Sequence, residues 1–290
     1  MKVTYNAAAK INLMLDILAR LDNGYHSLFM LMQSVDLYDT VTVEDTDSGK
    51  IEITASIPDI PCDKKNIAYK AAEAFFGTLG IKNRGIKIHL KKRIPFAAGM
   101  AGGSADGAAV IAALNDIYET KLSTGELCKI GVKVGADVPF CLTGGTCLAQ
   151  NVGEILSPLP ELQECWIVLA KPERGVSTKE AYDAFDNAPN IRHLDTCGML
   201  YAASQGNLNE ICRRTKNVFE QLIEVPERVP IKSILNRHGA LAACMSGSGP
   251  TVYGIFDDES KAQAATEALK SVVKNIYITR PVNRGLEKIL

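Results

Sequence analysis

Small residues dominate residues 95–105, which lie between an alternating apolar stretch and an alanine-rich one. Gly99, Gly102 and Gly103 have no side chain, so their backbone can approach an anion closely, and the amide groups at a helix start point towards such an anion. Ser104 adds a hydroxyl group for a phosphate oxygen or a metal ion. The segment is neither a Walker loop, because no Gly-Lys-Ser/Thr follows, nor a dinucleotide fingerprint. It indicates a phosphate-binding turn, and the alternative is a tight turn before a capped helix.

Three other features suit chemistry on a phosphate group, although each is weak in isolation. Residues 245–251 form a second turn of small residues that could close over a nucleotide, and a glycine hairpin explains them equally well. Asp137 is a single carboxylate in the apolar segment 135–139, where a turn residue is the ordinary explanation. Lys10 precedes an apolar strand and on its own would be a solvated strand-end lysine.

The composition is that of an ordinary globular protein, because 47% of the 290 residues are hydrophobic and 22% are charged. The 32 basic and 33 acidic residues give a net charge of -1, which disfavours nucleic-acid binding. No apolar run is long enough to span a membrane and residues 1–6 lack a signal-peptide core, so we expect a cytoplasmic protein. The cysteines form no Cys-x-x-Cys pair, which favours free thiols over a metal or redox site.

Apolar periodicity predicts an α+β fold in two lobes. A period of two predicts strands over residues 11–18, 85–91, 166–170, 241–256 and 276–280, and a hairpin made of residues 40–44 and 50–55. Helical spacing predicts helices over residues 66–79, 104–118, 123–134, 177–185, 194–205, 208–214, 217–223, 231–236 and 260–273. Asp22-Asn23-Gly24 predicts a tight turn after the first strand. Gly80 would end the first helix and Ser104 would cap the second. The lobes are predicted to be an N-terminal domain of residues 1–160 and a C-terminal domain of residues 161–290.

Several of these segments occur together in the order and spacing of the GHMP kinase superfamily, which the chain resembles over nearly its whole length. They are residues 9–13, 95–106, 135–139 and 245–250. Residues 22–26 (Asp-Asn-Gly-Tyr-His) resemble one branch, as do 135–140, 153–156 and 176–178. That branch acts on a cytidine diphosphate sugar alcohol in the non-mevalonate isoprenoid pathway. The resemblance implies an ATP-dependent small-molecule kinase with two lobes and its active site in the cleft between them.

The resemblance also implies a set of site residues. Asp137 would accept or orient the proton of the substrate hydroxyl, and Lys10 would hold that carboxylate ionised and offset the developing phosphate charge. The ATP phosphates would be bound by Pro95, Phe96, Ala97, Ala98, Gly99, Met100, Ala101, Gly102, Gly103, Ser104 and Ala105. The cytidine diphosphate substrate would be bound by Asn12, Tyr25, His26, Thr178 and Tyr182. Magnesium is expected with ATP, without assigned ligands, and no oligomeric state is predicted.

The phosphate-binding turn departs from the family pattern. Ala97 and Ala101 replace usual glycines and Ala105 replaces a usual serine, and a methyl group costs about 1 kcal/mol or more where φ must be positive. Leu21 and Asn23 differ from the usual Pro-Asp-Gly run. These changes bear on nucleotide affinity and leave the reaction class unaffected.

Two alternatives stay open at the level of sequence. Another kinase of the superfamily, of the homoserine or mevalonate type, would also need the phosphate turn, but residues 22–26 favour the cytidine substrate. A catalytically silent ligand-binding relative would have no need for both Lys10 and Asp137.

Overall fold

A long N-terminal hairpin is the main element of the first sheet. The computed structural model describes residues 1–289, and in it β1 (Lys2–Arg20) pairs antiparallel with β2 (His26–Asp45). Gly24 at a φ of +83° and a hydrogen bond from the Leu21 amide to the Tyr25 carbonyl oxygen (2.7 Å) close the turn between them. The predicted strand and turn are therefore confirmed, and the strand extends further towards the N-terminus than its period-two pattern.

The first sheet has the strand order β12-β1-β2-β4-β3. Strand β5 pairs with β2 and with β6, and β8 pairs with β1. These strands are β3 (Ile51–Ala55), β4 (Ile86–Lys91), β5 (Thr146–Asn151), β6 (Ile155–Pro158), β8 (Lys216–Asn217) and β12 (Leu286–Lys288). The predicted hairpin of residues 40–44 and 50–55 is wrong, because β3 runs parallel to β4, which separates it from β2. Alternation of apolar and polar residues indicates which side of a strand is buried, but it does not determine which strand it pairs with.

The second sheet has the strand order β11-β7-β10-β9. Its strands are β7 (Trp166–Lys171), β9 (Ala242–Met245), β10 (Val252–Phe256) and β11 (Asn275–Thr279). Helices α8 (Arg228–Arg237) and α9 (Glu259–Leu269) pack on it through a separate apolar cluster that includes Ile231, Leu235 and Leu269. The strands predicted over residues 166–170, 241–256 and 276–280 are confirmed, and the second small-residue turn connects β9 to β10.

Seven further helices complete the part of the chain that the structure describes. They are α1 (Ile67–Leu79), α2 (Gly102–Ile117), α3 (Thr124–Gly131), α4 (Val138–Thr143), α5 (Thr178–Asp186), α6 (Thr196–Ser204) and α7 (Leu208–Arg214). Helix α2 is buried along most of its length because its alanine side chains allow close packing against α1 and the first sheet. Gly80, in the left-handed conformation, ends α1 as predicted.

Five helix predictions are wrong in detail. Helix α9 ends at Leu269, before the predicted end at residue 273, and α8 begins at Arg228, before the predicted start at residue 231. Helix α2 begins at Gly102 with Ala101 as its N-cap, so Ser104 lies inside the first turn and does not cap it. Helix α3 ends at Gly131, before the predicted end at residue 134. Residues 217–223 form the end of β8 and a short 3-10 helix (Val218–Gln221). There the side-chain amide of Asn217 donates to the carbonyl oxygens of Met245 and Gly247, which connects the segment to the β9–β10 turn.

The mixed sheets with their surrounding helices confirm the predicted α+β class. The division at residues 160 and 161 stays a prediction. Within residues 1–289 no helix is both long enough and apolar enough to cross a membrane.

Candidate active site

A cleft of about 820 Å³ brings together residues from distant parts of the chain. Its walls are β1 and β2, the loop before α2, the start of α4, helix α5 and the β9–β10 turn. Polar and aromatic side chains on these walls include Lys10, Tyr25, His26, Ser104, Asp137, Thr178 and Tyr182. Convergence of a few polar groups in an otherwise apolar cleft is typical of a small-molecule site.

The loop before α2 has a backbone that repeatedly enters the left-handed region. Ala97, Gly99 and Ala101 have φ values of +49°, +73° and +58°. Alternation between left- and right-handed residues turns successive amide groups towards one side of the chain and makes a concavity that binds anions. Both alanines that replace usual glycines therefore occupy positions where a methyl group is strained.

The N-terminus of α2 is open to an anion. Its N-cap residue, Ala101, makes no side-chain hydrogen bond, and its first turn contains no acidic residue. In contrast, the first amides of α1, α3 and α5 are capped by Asn66, Ser123 and Ser177. A helix N-terminus carries roughly half a positive charge. The uncapped amides around Ser104 are suited to phosphate oxygens.

The β9–β10 turn packs directly on this loop. The Ser246 hydroxyl donates to the Gly99 carbonyl oxygen at 2.9 Å, and a Cβ atom on Gly99 would lie 2.2 Å from the Ser246 carbonyl oxygen. Gly99 therefore has no room for a side chain. The two small-residue turns that the sequence singled out meet at the cleft, which Ser248 also lines.

Lys10 lies in the middle of β1 and is 4% exposed, so it is not a solvated strand-end lysine. Its Nζ atom donates to Asn12 Oδ1 at 2.7 Å and lies 4.0 Å from Asp137 Oδ2. A buried ammonium group is costly unless polar or charged partners surround it. The amide oxygen and the carboxylate supply those partners and hold the ammonium group at the cleft.

Asn12 is fully buried behind Lys10 and does not line the cleft. Its Oδ1 atom also accepts a hydrogen bond from the Gly247 amide at 3.0 Å, and its carbonyl oxygen accepts one from the Tyr253 hydroxyl at 2.7 Å. These bonds link the lysine to the β9–β10 turn. Binding of the substrate by Asn12 stays a prediction.

Asp137 is the N-cap residue of α4, with a side chain that is 34% exposed. It makes no capping hydrogen bond, so its carboxylate is not used to hold the helix end. Gly131 lets α3 approach closely, since a Cβ atom there would lie 2.9 Å from a methyl carbon of Val138. A half-exposed carboxylate beside an ammonium group, on a packed helix end, is suited to accepting a proton from a ligand.

Aromatic rings form another wall of the cleft. The His26 ring stacks on Tyr182 with centroids 4.8 Å apart, and Tyr182 packs edge-on against Phe219 at 5.3 Å. Burial, together with the charge of Asp137, raises the pKa of the Tyr182 phenol well above its ordinary value, so the phenol stays neutral. Tyr25 is 64% exposed at the edge of the cleft.

A buried charge cluster lies at both ends of the loop before α2. Lys92 Nζ donates to carboxylate oxygens of Asp39 and of Asp106, the latter at 2.6 Å. Asp39 Oδ1 also accepts from the amides of Arg93 (2.6 Å) and Ile94 (2.9 Å), just before the loop, and Asp106 lies just after it on α2. Burial raises the pKa of Asp106, whose Oδ1 atom has no hydrogen-bond partner within residues 1–289. The cluster joins both ends of the loop.

Most of the predicted site residues meet in the cleft. From the loop, the lining residues are Phe96, Ala97, Ala98, Gly99, Ala101, Gly103 and Ser104. Pro95, Met100, Gly102 and Ala105 do not line it, and Met100 and Ala105 belong to the apolar core. From the predicted substrate residues, Tyr25, His26, Thr178 and Tyr182 line the cleft.

Some residues at the site were not predicted. The Ser248 hydroxyl forms a hydrogen bond with the Thr178 hydroxyl at 3.2 Å, and both residues line the cleft. Asp186 bonds to His26, and Lys92 lies behind the loop. Ser248 is in a turn that the sequence singled out, so its composition was a signal. Asp186 lies at the end of a helix with several charged residues, and Lys92 follows the end of a strand. Neither local sequence indicates a functional residue.

Family profiles match two parts of the chain. The GHMP kinases N terminal domain matches residues 66–145, and the GHMP kinases C terminal domain matches residues 199–275. A relative from Clostridium acetobutylicum is 41% identical over 278 residues, covering 95% of this chain and 99% of the relative. The chain belongs to the GHMP kinase family. It is therefore an ATP-dependent small-molecule kinase, and the uncapped α2 terminus lies in the part matched by the N-terminal profile.

Named relatives and solved structures of this family cover the whole fold. The Clostridium acetobutylicum relative and one from Clostridium kluyveri (43% identical, covering 95% of this chain and 99% of the relative) are named 4-diphosphocytidyl-2-C-methyl-D-erythritol kinase. A crystal structure of 4-(cytidine 5'-diphospho)-2C-methyl-D-erythritol kinase has a TM-score of 0.78 at 31% identity, covering 96% of this chain and 98% of that one. A homoserine kinase from Cytophaga hutchinsonii has a TM-score of 0.81 at 22% identity, covering 99% and 97%, which shows a shared fold.

Proposed function

We propose that this kinase transfers the γ-phosphate of ATP to the 2-hydroxyl of 4-diphosphocytidyl-2-C-methyl-D-erythritol, in the non-mevalonate route to isoprenoid precursors. The supporting observation is identity of 41–43% over about 95% of the chain with relatives of that name. The cleft supports the same reaction. It is lined by the uncapped loop before α2, by aromatic side chains, and by Lys10 and Asp137, which lie 4.0 Å apart.

In this reaction the acceptor oxygen attacks the γ-phosphorus atom, its proton passes to the Asp137 carboxylate, and the bond to the β-phosphate oxygen breaks to release ADP. Lys10 supplies a fixed positive charge beside Asp137 and offsets negative charge that develops on the transferred phosphoryl group. The amides at the start of α2 hold the nucleotide phosphates, with Ser104 among them.

A magnesium ion fits the oxygen groups of this cleft. The Ser104 hydroxyl and the Asp137 carboxylate line the same cavity as the phosphate loop. Magnesium in such sites takes one or two carboxylates together with nucleotide phosphates and water. Within residues 1–289 there is no cluster of three or more metal-ligating side chains, so most of the ligands would come from ATP and water. When bound, the ion would neutralise phosphate charge.

The aromatic wall is where the cytidine would bind. Tyr25 offers a ring face to a pyrimidine beside the stacked rings of His26 and Tyr182, and Nδ1 of His26 can hydrogen-bond to its edge. Thr178 and Ser248 are hydrogen-bonded to each other at the cleft, and their hydroxyl groups are suited to hydroxyl or phosphate oxygens of the substrate. Asn12 acts indirectly, by holding the ammonium group of Lys10 in place.

A coupled assay of ADP release against several acceptors tests the proposal. The panel contains the cytidine diphosphate compound, methylerythritol phosphate without the cytidine, homoserine and mevalonate. We expect efficient turnover of the first compound and very poor turnover of the others. The other compounds contain no base that could bind to the aromatic wall. Efficient phosphorylation of homoserine or mevalonate, with the cytidine compound ignored, would overturn the substrate assignment while leaving the kinase activity intact.

A further inference from the structure

Helix α5 surrounds the His26 ring with three side chains. Tyr182 stacks on it at 4.8 Å, Phe185 packs edge-on at 5.8 Å, and Asp186 Oδ1 lies 2.7 Å from its Nε2 atom. The ring is 8% exposed, so its plane and one of its two nitrogen atoms are fixed by this single helix. His26 begins β2, which means that the contact joins the N-terminal hairpin to a helix far along the chain.

The Asp186 contact determines which ring nitrogen has the proton. A carboxylate can only accept hydrogen bonds, so Nε2 of His26 must be the protonated nitrogen. The second oxygen of Asp186 lies 3.4 Å from Arg20 Nη1, which gives the carboxylate a permanent cation that does not depend on the imidazole charge. In the neutral ring, Nδ1 is then a hydrogen-bond acceptor.

The Nδ1 atom is available to a ligand. Within residues 1–289 this atom makes no hydrogen bond, and it is not buried from solvent. His26 lines the cleft, next to Tyr25 and Tyr182. A ligand that presents an N–H group to this atom gains a hydrogen bond, and one that presents a carbonyl oxygen places two lone pairs against each other.

We propose that Asp186 makes the site select a pyrimidine with an exocyclic amino group, as in cytidine, over one with a carbonyl group at that place, as in uridine. It does so by keeping the proton of His26 on Nε2, so that Nδ1 accepts from the amino group. Asp186 acts through His26 and is therefore a positioning residue. This inference rests on the proposed cytidine substrate and deepens it.

The test compares kcat/KM for the cytidine diphosphate acceptor and for its uridine counterpart, prepared by deamination, at saturating ATP. The variants are Asp186→Leu, which removes the carboxylate, and Asp183→Asn, a control on the same helix with an exposed side chain. We expect a preference for cytidine of about 100-fold or more in the wild type and in the control, because a mismatched polar pair in a binding site is strongly rejected. Asp186→Leu should reduce the preference to about tenfold or less, with the loss mainly in KM for the cytidine compound.

A purely structural role would weaken both acceptors equally, so an unchanged preference in Asp186→Leu would overturn the proposal even if overall activity fell. Two-bond 1H–15N spectra of the histidine rings give a readout that does not require turnover. They should show His26 with its proton on Nε2 in the wild type and a mixture of tautomers in Asp186→Leu. If the wild type turned over neither acceptor, the proposed function would fail and the base selection with it. If the wild type used cytidine but kept its preference without Asp186, only the role of Asp186 would fail.

Discussion

Lys10 Nζ and Asp137 Oδ2 lie 4.0 Å apart, which is longer than a hydrogen bond but short enough for a strong electrostatic interaction. The lysine comes from the middle of β1 and the aspartate from the start of α4, so the two approach the cleft from different walls. An acceptor hydroxyl group can donate to the carboxylate while its oxygen faces the phosphate loop. We therefore propose separable roles for the two side chains in one step.

Asp137→Asn should lower kcat by about two to four orders of magnitude, since it removes the proton acceptor and preserves the shape of the side chain. ATP affinity, measured by titration calorimetry, should stay near the wild-type value, because we propose that the nucleotide phosphates bind mainly to the loop before α2. Asp183→Asn is the matched control and should leave kcat unchanged. Near-normal turnover in Asp137→Asn would remove this carboxylate from the mechanism.

Lys10→Met should lower kcat by about 100-fold or more, because it removes a charge that acts mainly on the transition state. The aliphatic length is similar, so the β1 backbone and its sheet pairing should persist, which far-ultraviolet circular dichroism can check. Lys70→Met, at an exposed position on α1, is the control for loss of a lysine charge. A kcat within about threefold of the wild type would contradict the role given to Lys10.

Ala101→Gly should raise the free energy of unfolding by up to about 1 kcal/mol, because relief of strain at a φ of +58° exceeds the backbone entropy that glycine adds. Ala98→Gly is the control in the same loop, since Ala98 is not among the residues with positive φ and its methyl group is buried. That variant should lose stability. Denaturant unfolding measures both, and a clear loss of stability in Ala101→Gly would show that the left-handed conformation is not strained.

Asp106→Asn should change the pH dependence of stability. Burial raises the pKa of Asp106 in the folded protein, so between its ordinary value and neutral pH the folded state binds more protons than the unfolded state. The contribution of this group to stability is therefore greatest at low pH and is lost as the pH rises from about 4 towards neutral, by at most about 1.4 kcal/mol per pH unit. Denaturant unfolding at several pH values should show a flatter profile for Asp106→Asn than for Asp183→Asn. Identical profiles would mean that folding does not raise the pKa of Asp106.

Local patterns predicted the strands and turns near the site well, because short-range rules govern them. The turn at residues 21–25, the C-cap at Gly80 and the β9–β10 turn all depend on backbone properties of a few adjacent residues. The pairing of β3 with β4 and the start of α2 at Gly102 were not predicted, because tertiary contacts decide them. Ala101 takes a conformation that alanine rarely adopts, and its local sequence does not reveal it.

The sequence also could not show which side chains point into the cleft. Asn12 is two positions from Lys10 on β1, so both were expected near the ligand, but Asn12 turns inward and bonds to Lys10 and Gly247. Asp186 and Lys92 have effects only through partners that lie far away in the chain. Such long-range pairs follow from the packed fold and not from motifs.

The most direct test of the proposed reaction is a 31P NMR spectrum of the products formed from ATP and 4-diphosphocytidyl-2-C-methyl-D-erythritol. We predict one new phosphomonoester signal on the acceptor, retention of its two diphosphate signals, and one ADP for each acceptor consumed. Release of ADP and inorganic phosphate with the acceptor unchanged, or loss of the diphosphate signals, would contradict direct transfer of the γ-phosphate to its hydroxyl group.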